Sequence, residues 1–575
     1  MLTAFSFVYQ PGSNIGSRWA LIISLVDRHT LNIDPFKNWT ADGSYYNNHF
    51  YSDKAVGSAL LGAPVYFLIS NAIPLARTPE NYGWYRYLTQ LFSLGLLFAG
   101  SVYLLVDLLV RMGSSESSAL IAGALYGCAT PATCYSSLFF GHGFACIFAL
   151  AAFYFLYLAH SGKNEFRFIL FAAISCALMW ICEYTSGIAV GLFSLYLLLF
   201  DRKPNHIAWF IFIAWIFPIS IHLGFNYLCF GNPFVTGYHT LRDQHYLQSM
   251  SQGLMGIGLP ELSKLWLVTI TPARGLFFLW PVIFISIPGM FYMIRSSIFR
   301  SEGILFALIA LGYLLMNAGY FEPGGGACPG PRHLVPITGV LCISIGFVFS
   351  RTNIYFRALI IGLALISALT TCVIMLGAPM APDMLANPLY EFHIPFFIQG
   401  SQDHIGYRIG ISHLFIIALY WVVALTLFTI PKLKSKSFQN NARRFAFNKA
   451  SITSFIGTLA VGSICYSLIF PRIAATEPGL VHQIKGNQFS MYTSHERAIE
   501  EYKAALNTRP DPYIYYYRGI QYQYMKQFLQ ARDDYSDFIQ MVPDTQYKQA
   551  LENYIKSVDS IRKKTVEQTQ GENSP

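Results

Sequence analysis

Side chains that can do acid–base or anion chemistry are concentrated between residues 17 and 64. They are three carboxylates, a histidine, a tyrosine and a lysine: Asp34, Asp42, His49, Tyr51, Asp53 and Lys54. A carboxylate can accept the proton of a hydroxyl nucleophile. A lysine can hold a departing phosphate through charge. The combination suits a reaction between a lipid-anchored anionic donor and a hydroxyl acceptor. For any single aspartate, the alternative to a catalytic role is that of a solvated carboxylate in a loop.

Four more ionisable residues stand at the ends of apolar runs. They are His142, Glu183, Arg274 and Arg332. Ionisable groups are costly at the edge of a hydrocarbon layer, so each is a candidate for substrate binding. For His142 and Glu183, the alternative is a buried structural pair. For the two arginines, the alternatives are a bidentate phosphate clamp and a guanidinium that reaches towards the membrane surface.

The elements that carry these residues are those of a membrane protein. Only 12% of the 575 residues are charged, whereas 54% are hydrophobic. Soluble domains contain about 25% charged residues, so a soluble globular protein is excluded, and a disordered chain or disulfide scaffold fits no better. The sequence therefore predicts an all-α polytopic membrane protein. Its net charge of +9 indicates basic cytoplasmic loops, not a nucleic-acid partner.

About twelve apolar runs are long enough to be membrane spans. They are residues 87–111, 118–139, 141–160, 166–182, 185–200, 207–228, 275–294, 303–320, 333–350, 357–378, 410–430 and 451–470. The loop 432–449 holds six lysines and arginines and is assigned to the cytoplasm. Alternation back along the chain places the other short basic loops there as well. The candidate residues then share the outer face.

Three regions follow from this topology. Residues 1–86 form a first outer loop with interfacial helices, one of them at 56–75, and residues 87–470 form the transmembrane core. Residues 1–10 are apolar but too short to cross, so we expect a further first helix upstream.

Residues 471–575 form a small helical region on the outer side. Its prolines Pro510 and Pro543 are 33 residues apart. That spacing resembles the tetratricopeptide repeat, with a helical hairpin packed on the membrane region as the alternative.

Several short motifs resemble one family. They are Tyr51-Ser52-Asp53-Lys54-Ala55-Val56-Gly57, Phe140-Gly141-His142, Glu183-Tyr184, Phe230-Gly231-Asn232-Pro233-Phe234, Pro272-Ala273-Arg274-Gly275-Leu276-Phe277 and Gly330-Pro331-Arg332-His333-Leu334. Their order over residues 16–470 is similar to that in membrane glycosyltransferases of the GT-C type. The resembling branch contains protein O-mannosyltransferases and lipid A aminoarabinose transferases. Val56 stands where that branch usually has proline.

The resemblance implies an inverting transfer of a sugar from a polyprenyl-phosphate donor to a glycan, lipid or protein hydroxyl. It implies a bacterial inner membrane, with the active site and C-terminal region on the periplasmic face. It also implies that Asp53 and Lys54 belong to the phosphate end. The branch's early catalytic aspartate has no counterpart near Asn14 and Arg18. Asp34 or Asp42 is therefore expected to be the base.

The remaining expectations concern cofactors, partners and rival functions. No cofactor or metal is expected, although some GT-C enzymes use a divalent cation. Membrane lipids surround the chain, and the C-terminal helical region can bind a protein partner. The alternatives are a ligase or flippase of envelope polysaccharide assembly, a transporter, and a non-catalytic scaffold. Transporters gather charges near the bilayer midplane between two similar halves, and neither feature is visible in this sequence.

Overall fold

The computed structural model describes residues 4, 6–8, 12–162, 165–400, 403–412, 414–415, 418, 422, 449–465 and 469–571. They form two compact units, the first made of residues 1–383 and 388–473 and the second of 384–387 and 474–575. Both units are helical. Among the described residues, two β-strands, Ser44–Tyr46 and His49–Tyr51, pair as an antiparallel hairpin in the first unit.

The first unit contains most of the helices. Its described α-helices are Gly12–Asp27, Gly57–Ala72, Pro79–Gln90, Leu96–Arg111, Glu116–Cys128, Pro131–Tyr135, Gly141–Ser161, Glu165–Cys182, Gly187–Phe200, Pro204–Ile211, Phe217–Phe230, Gln244–Met250, Leu262–Thr269, Leu276–Leu279, Ser286–Arg295, Arg300–Gly319, Thr338–Arg351, Ile354–Leu376, Ile394–Gln399, Ile405–Arg408, Lys449–Ile464 and Phe470–Ile473. Its 3₁₀ turns are Asp34–Trp39, Tyr184–Ser186, Gly237–His239, Pro281–Ile285 and Arg332–Ile337. Its π-helical turns are Leu91–Gly95, Phe212–Ile216 and Leu389–His393.

Seven described helical segments are long and apolar enough to cross a membrane. They are Pro79–Arg111, Gly141–Ser161, Glu165–Cys182, Pro204–Phe230, Arg300–Gly319, Arg332–Arg351 and Ile354–Leu376. Each coincides with one of the predicted runs, so the chain is a multi-pass, all-α membrane protein. The segments Gly141–Ser161 and Arg332–Arg351 are the most enclosed of the seven. Because they lie in the interior, the residues at their first turns are surrounded by protein.

The predicted count of twelve spans remains a prediction. The run 118–139 is divided into Glu116–Cys128 and Pro131–Tyr135. Thr130 between them is extended, as expected for a residue before proline. Tyr184–Phe200 and Pro281–Arg295 are apolar but shorter than the seven, as is Gly57–Ala72 within the predicted interfacial helix. Most of the run 410–430 lies outside the described residues.

The second unit is a row of helices, Pro478–Met491, His495–Thr508, Pro512–Tyr524, Phe528–Met541 and Lys548–Gly571. The first four form two hairpins that repeat one packing contact. The ring of Tyr502 packs on Gly486, and the ring of Tyr535 packs on Gly519. The second pair lies 33 residues after the first in the sequence. The structure thus has two helical hairpins and a further helix in the region where the sequence showed the proline spacing. The tetratricopeptide resemblance stays a prediction.

Candidate active site

A cavity of about 780 Å³ lies in the first unit. Six of the ten candidate residues line it: Asp42, Asp53, Lys54, His142, Glu183 and Arg332. Apolar side chains, including Met250, Met255 and Met316, line it too. The cavity therefore joins a strongly charged region to apolar surface, as a ligand with a polar head and an apolar tail requires.

Two close backbone approaches bring the charged residues together. A Cβ atom at Gly57 would lie 2.4 Å from the carbonyl carbon of Ile181, and one at Gly141 would lie 2.1 Å from the carbonyl oxygen of Cys182. Only glycine fits at such distances. The helix beginning at Gly57 follows Lys54, the helix beginning at Gly141 contains His142 in its first turn, and Cys182 precedes Glu183. Three distant segments thus place their ionisable residues around one space.

Lys54 bridges two of the predicted carboxylates. Its Nζ lies 2.8 Å from Oδ2 of Asp42 and 2.8 Å from Oδ2 of Asp53. Burial alone lowers the pKa of Lys54, but the two carboxylates outweigh it and the pKa is raised. Burial alone raises the pKa of Asp42, but the charge and hydrogen bond of Lys54 outweigh burial, and the pKa is lowered. Lys54 is therefore a cation already neutralised by its neighbours, and any phosphate would compete with both of them.

Asp53 and Asp42 differ in access. The Asp53 side chain is 3% exposed, and its Oδ1 accepts a hydrogen bond from Ser17 Oγ at 3.3 Å. The Asp42 side chain is 32% exposed. Asp53 is thus occupied on both oxygens by protein groups, whereas Asp42 presents its carboxylate to the cavity. Of these two, Asp42 is better placed to meet a ligand.

His142 and Glu183 form a buried pair at the cavity wall. His142 Nδ1 lies 2.9 Å from Glu183 Oε2, and the two side chains are 4% and 13% exposed. Burial raises the pKa of Glu183, but electrostatic interactions with His142, His333 and Arg18 outweigh it and lower the pKa to about 2. Glu183 is consequently a permanent anion at neutral pH that can orient the imidazole.

Arg332 is a largely enclosed cation without a hydrogen bond among the described residues. Its side chain is 15% exposed, and its Nε is enclosed and has no partner. Its nearest carboxylate, Glu322, is 4.0 Å from a terminal guanidinium nitrogen and accepts a 2.6 Å hydrogen bond from Tyr246. Phe140 lies beneath the guanidinium, 6.0 Å from the ring centre. Buried guanidinium donors are normally paired, so this one is available to an anionic ligand.

Arg274 lies outside the cavity lining, and its two terminal guanidinium nitrogens are engaged, whereas its Nε is enclosed without a hydrogen-bond partner among the described residues. Its guanidinium donates hydrogen bonds to the carbonyl oxygens of Cys328 and Gly326 at 3.0 Å and to that of Ala381 at 3.4 Å. The side chain is buried. Arg274 therefore fixes the 324–328 loop, which leads to Arg332.

Asp34, His49 and Tyr51 also lie outside the cavity lining. Asp34 Oδ2 is 2.7 Å from His49 Nδ1, and Asp34 Oδ1 accepts a hydrogen bond from the backbone of Phe50. This pair is half exposed and ties the 3₁₀ turn to the hairpin. Tyr51 packs edge-on against Phe230, with ring centres 5.5 Å apart. The structure thus separates these three residues from the six in the cavity.

Arg18 and His333 are cavity residues that the sequence-based set did not include. Arg18 is buried, lines the cavity and donates hydrogen bonds to Ser58 Oγ at 2.9 Å and to Asn14; burial lowers its pKa. His333 is also buried there, next to Arg332. A lone arginine in an apolar run was the available signal for Arg18. His333 was hidden because it follows a more conspicuous arginine.

The cavity donors do not gather as a metal site. Among the described residues, three donor atoms of His, Cys, Asp or Glu come within 4.8 Å of one another at Glu165, Asp201 and His206. None of these lines the cavity. Lys203 Nζ lies 2.5 Å from Glu165 Oε2 and already occupies that carboxylate.

Comparisons with known proteins give distant structural similarities. No protein-family model matches the sequence, and no curated protein matches it. A structure of the oligosaccharyltransferase AglB of Archaeoglobus fulgidus, in complex with an inhibitory peptide and a dolichol-phosphate, is 13% identical with a TM-score of 0.39. Another structure of the Archaeoglobus fulgidus oligosaccharyltransferase, tethered to an acceptor peptide, is 12% identical with a TM-score of 0.41. Each match covers 63% of this chain and 51% of the other, so the chain spans about half their length.

Proposed function

We propose that this protein is a membrane glycosyltransferase of the GT-C type. It moves a sugar from a polyprenyl-phosphate donor to a hydroxyl group of a glycan, lipid or protein, with inversion at the anomeric carbon. The reaction takes place on the outer face of a bacterial inner membrane. The C-terminal helical unit lies on the same side and offers a surface for a protein partner. The proposal rests on the cavity and its residues.

The observation that carries the proposal is the guanidinium of Arg332, which has no hydrogen bond among the described residues, in a cavity that also holds an accessible carboxylate. Such a cation matches a phosphate, since arginine can donate two parallel hydrogen bonds to it. The carboxylate of Asp42 matches a hydroxyl, since it can accept its proton or orient it. A cavity with both functions and apolar walls fits an amphiphilic phosphate donor meeting a hydroxyl acceptor.

In this reaction the acceptor oxygen attacks the anomeric carbon while the bond from that carbon to the phosphate oxygen breaks. The acceptor proton passes to Asp42 or to water oriented by it. The electron pair of the broken bond stays on the phosphate, whose negative charge Arg332 stabilises. Lys54 keeps Asp42 ionised and holds it in position. Positioning and charge stabilisation account for most of the catalysis, as in other transfers from phosphate leaving groups.

The test compares Asp42→Asn with Asp34→Asn, a matched pair from the same outer loop. Purified full-length protein in lipid nanodiscs is incubated with a panel of undecaprenyl-phosphate hexoses and a membrane-glycan extract, and transfer is measured by mass spectrometry. Asp42→Asn is expected to lower transfer by roughly 10²-fold or more, because the amide cannot accept the proton. Asp34→Asn is expected to keep it, because Asp34 pairs with His49 outside the cavity.

Two results would contradict the proposal. The first is no transfer by the wild-type protein from any donor in the panel, together with unchanged envelope glycans in cells that lack the gene. The second is equal transfer by wild type and Asp42→Asn, which would remove Asp42 from the reaction. Addition of EDTA or of magnesium and manganese ions tests separately whether a divalent cation takes part.

The sidedness has its own test. Single cysteines at Gly325 and Ser494 in a chain with its native cysteines replaced are expected to react with a membrane-impermeant maleimide in intact spheroplasts. A cysteine at Arg202, in a predicted cytoplasmic loop, is expected to react only after lysis. Reaction of Ser494→Cys only after lysis would show that the predicted number of spans is wrong by one.

A further inference from the structure

His333 is a buried imidazole without a hydrogen-bond partner in the part of the chain that the structure describes. It lies in the 3₁₀ turn Arg332–Ile337, at the start of the most enclosed apolar segment. The residue is 5% exposed. Neither Nδ1 nor Nε2 has a hydrogen-bond partner among the described residues, although the ring lines the cavity. Leaving two buried polar atoms unpaired is costly, so a partner from the ligand is expected.

The aromatic rings around His333 hold its side chain in place but form no hydrogen bond with its nitrogens. Its ring centre lies 5.2 Å from that of His142 and 4.9 Å from that of Tyr320, in both cases nearly edge-on. These contacts fix the orientation of the ring through packing alone. They leave the hydrogen-bonding capacity of both nitrogens for a molecule in the cavity.

We propose that His333 binds a hydroxyl group of the sugar that is transferred, which rests on the function proposed above. A neutral imidazole has one donor and one acceptor nitrogen. A hydroxyl group both donates and accepts, so one hydroxyl can pair with either nitrogen, and hydroxyls at separate positions of one sugar can pair with both. An ionised phosphate only accepts and would leave one nitrogen unpaired. The adjacent Arg332 already provides donors for the phosphate. His333 therefore contributes to the choice of sugar.

The test uses full-length protein in lipid nanodiscs and two kinds of probe: undecaprenyl phosphate alone, and undecaprenyl phosphate carrying glucose, mannose or galactose. The variant His333→Phe keeps a planar ring of similar size but cannot form hydrogen bonds. Its affinity for the sugar-bearing lipid that wild type prefers is expected to fall about 10- to 100-fold. Its affinity for undecaprenyl phosphate is expected to stay the same. His333→Gln retains a donor and an acceptor and is expected to recover part of the loss.

Thermal unfolding separates binding from folding. His333→Phe removes two unpaired nitrogens, so its unfolding midpoint without ligand is expected to equal or exceed that of wild type. The matched control is His393→Phe, since His393 is equally buried, lies outside the cavity lining and bonds the carbonyl of Ala378 at 2.7 Å. That variant is expected to unfold at a lower temperature while retaining the preference for the sugar-bearing lipid over undecaprenyl phosphate.

The outcomes distinguish this proposal from the proposed function. Equal loss of affinity for both kinds of lipid would assign His333 to the phosphate and overturn the proposal, while the transferase function would stand. Unchanged affinity for every probe would overturn it as well, as would a wild type that binds no sugar-bearing form more tightly than undecaprenyl phosphate. A wild type that binds none of the lipids would contradict the transferase function itself and this proposal with it.

Discussion

The ammonium nitrogen of Lys54 lies 2.8 Å from the carboxylate of Asp42. A second carboxylate, that of Asp53, is equally close on the same nitrogen. The lysine that the sequence assigns to a phosphate is thus the centre of an ion cluster. Its first effect is to hold the loop that carries Asp42 against the start of the helix at Gly57. Its role as a phosphate contact stays a prediction.

Removal of Lys54 is expected to destabilise the protein. Lys54→Met leaves Asp53, whose side chain is 3% exposed, as an unbalanced buried charge, and breaking a buried pair in this way costs about 3 kcal/mol. The double variant Lys54→Met/Asp53→Asn is expected to recover much of the loss, because it removes that charge. Unfolding midpoints in detergent measure both. A double variant no more stable than Lys54→Met would show that the ion cluster is not what stabilises this loop.

Alanine variants of Arg332 and Arg274 are expected to differ in effect, the first lowering activity and the second lowering stability. Arg332→Ala is expected to lower sugar transfer by about 10²–10³-fold while the protein still inserts and unfolds near the wild-type temperature, because its guanidinium has no hydrogen bond to lose among the described residues. Arg274→Ala is expected to lower the stability by about 2 kcal/mol, because three carbonyl oxygens lose their donor. Activity per folded molecule and unfolding midpoints, measured on the same samples, test both. Equal destabilisation by the two variants would contradict this division.

The stabilising effect of Glu183 is expected to depend on pH. Its pKa is lowered to about 2 in the folded protein, against about 4.3 in an unfolded chain. A lowered carboxyl pKa contributes stability that is fully present above the unfolded value and is lost as the pH falls towards the folded value. Glu183→Gln is therefore expected to be less stable than wild type at pH 7, with the difference shrinking below about pH 4.3. Unfolding midpoints of both proteins from pH 7 to pH 3 provide the measurement, and a constant difference would exclude this cause.

The close approach at Gly141 is expected to be intolerant of a methyl group. Gly141→Ala would put Cβ 2.1 Å from the carbonyl oxygen of Cys182, so the helix beginning at Gly141 must shift. Overpacking of this kind costs about 1–3 kcal/mol and would separate His142 from Glu183. Gly100→Ala is the control, since no atom lies within 4 Å of its Cβ position. Lower stability and transfer are expected for Gly141→Ala alone. Equal behaviour of the two variants would show that the approach is not required.

The sequence was sufficient for the membrane character and for much of the candidate site. Seven apolar runs became helices that can span a membrane, because their length and hydropathy leave few other solutions. It also identified His142, Glu183 and Arg332, because an ionisable residue at the end of an apolar run is conspicuous in any order of the helices. Six of ten candidates line one cavity.

Only the tertiary structure decided which of the similar residues meet. Asp34 and Asp42 lie in the same loop and are alike in sequence, yet the 3₁₀ turn takes Asp34 to His49 and the hairpin leaves Asp42 with Lys54. Arg274 and Arg332 both lie at ends of apolar runs, yet the first donates hydrogen bonds to three backbone carbonyls, whereas the second has no hydrogen bond in the part of the chain that the structure describes. These choices depend on contacts between segments far apart in the chain, such as Gly141 against Cys182. The sequence by itself determined which residues can do the chemistry, because that follows from side-chain type and local hydropathy. Which of them share a cavity depended on the packing of the helices, because no local pattern encodes a distance between segments.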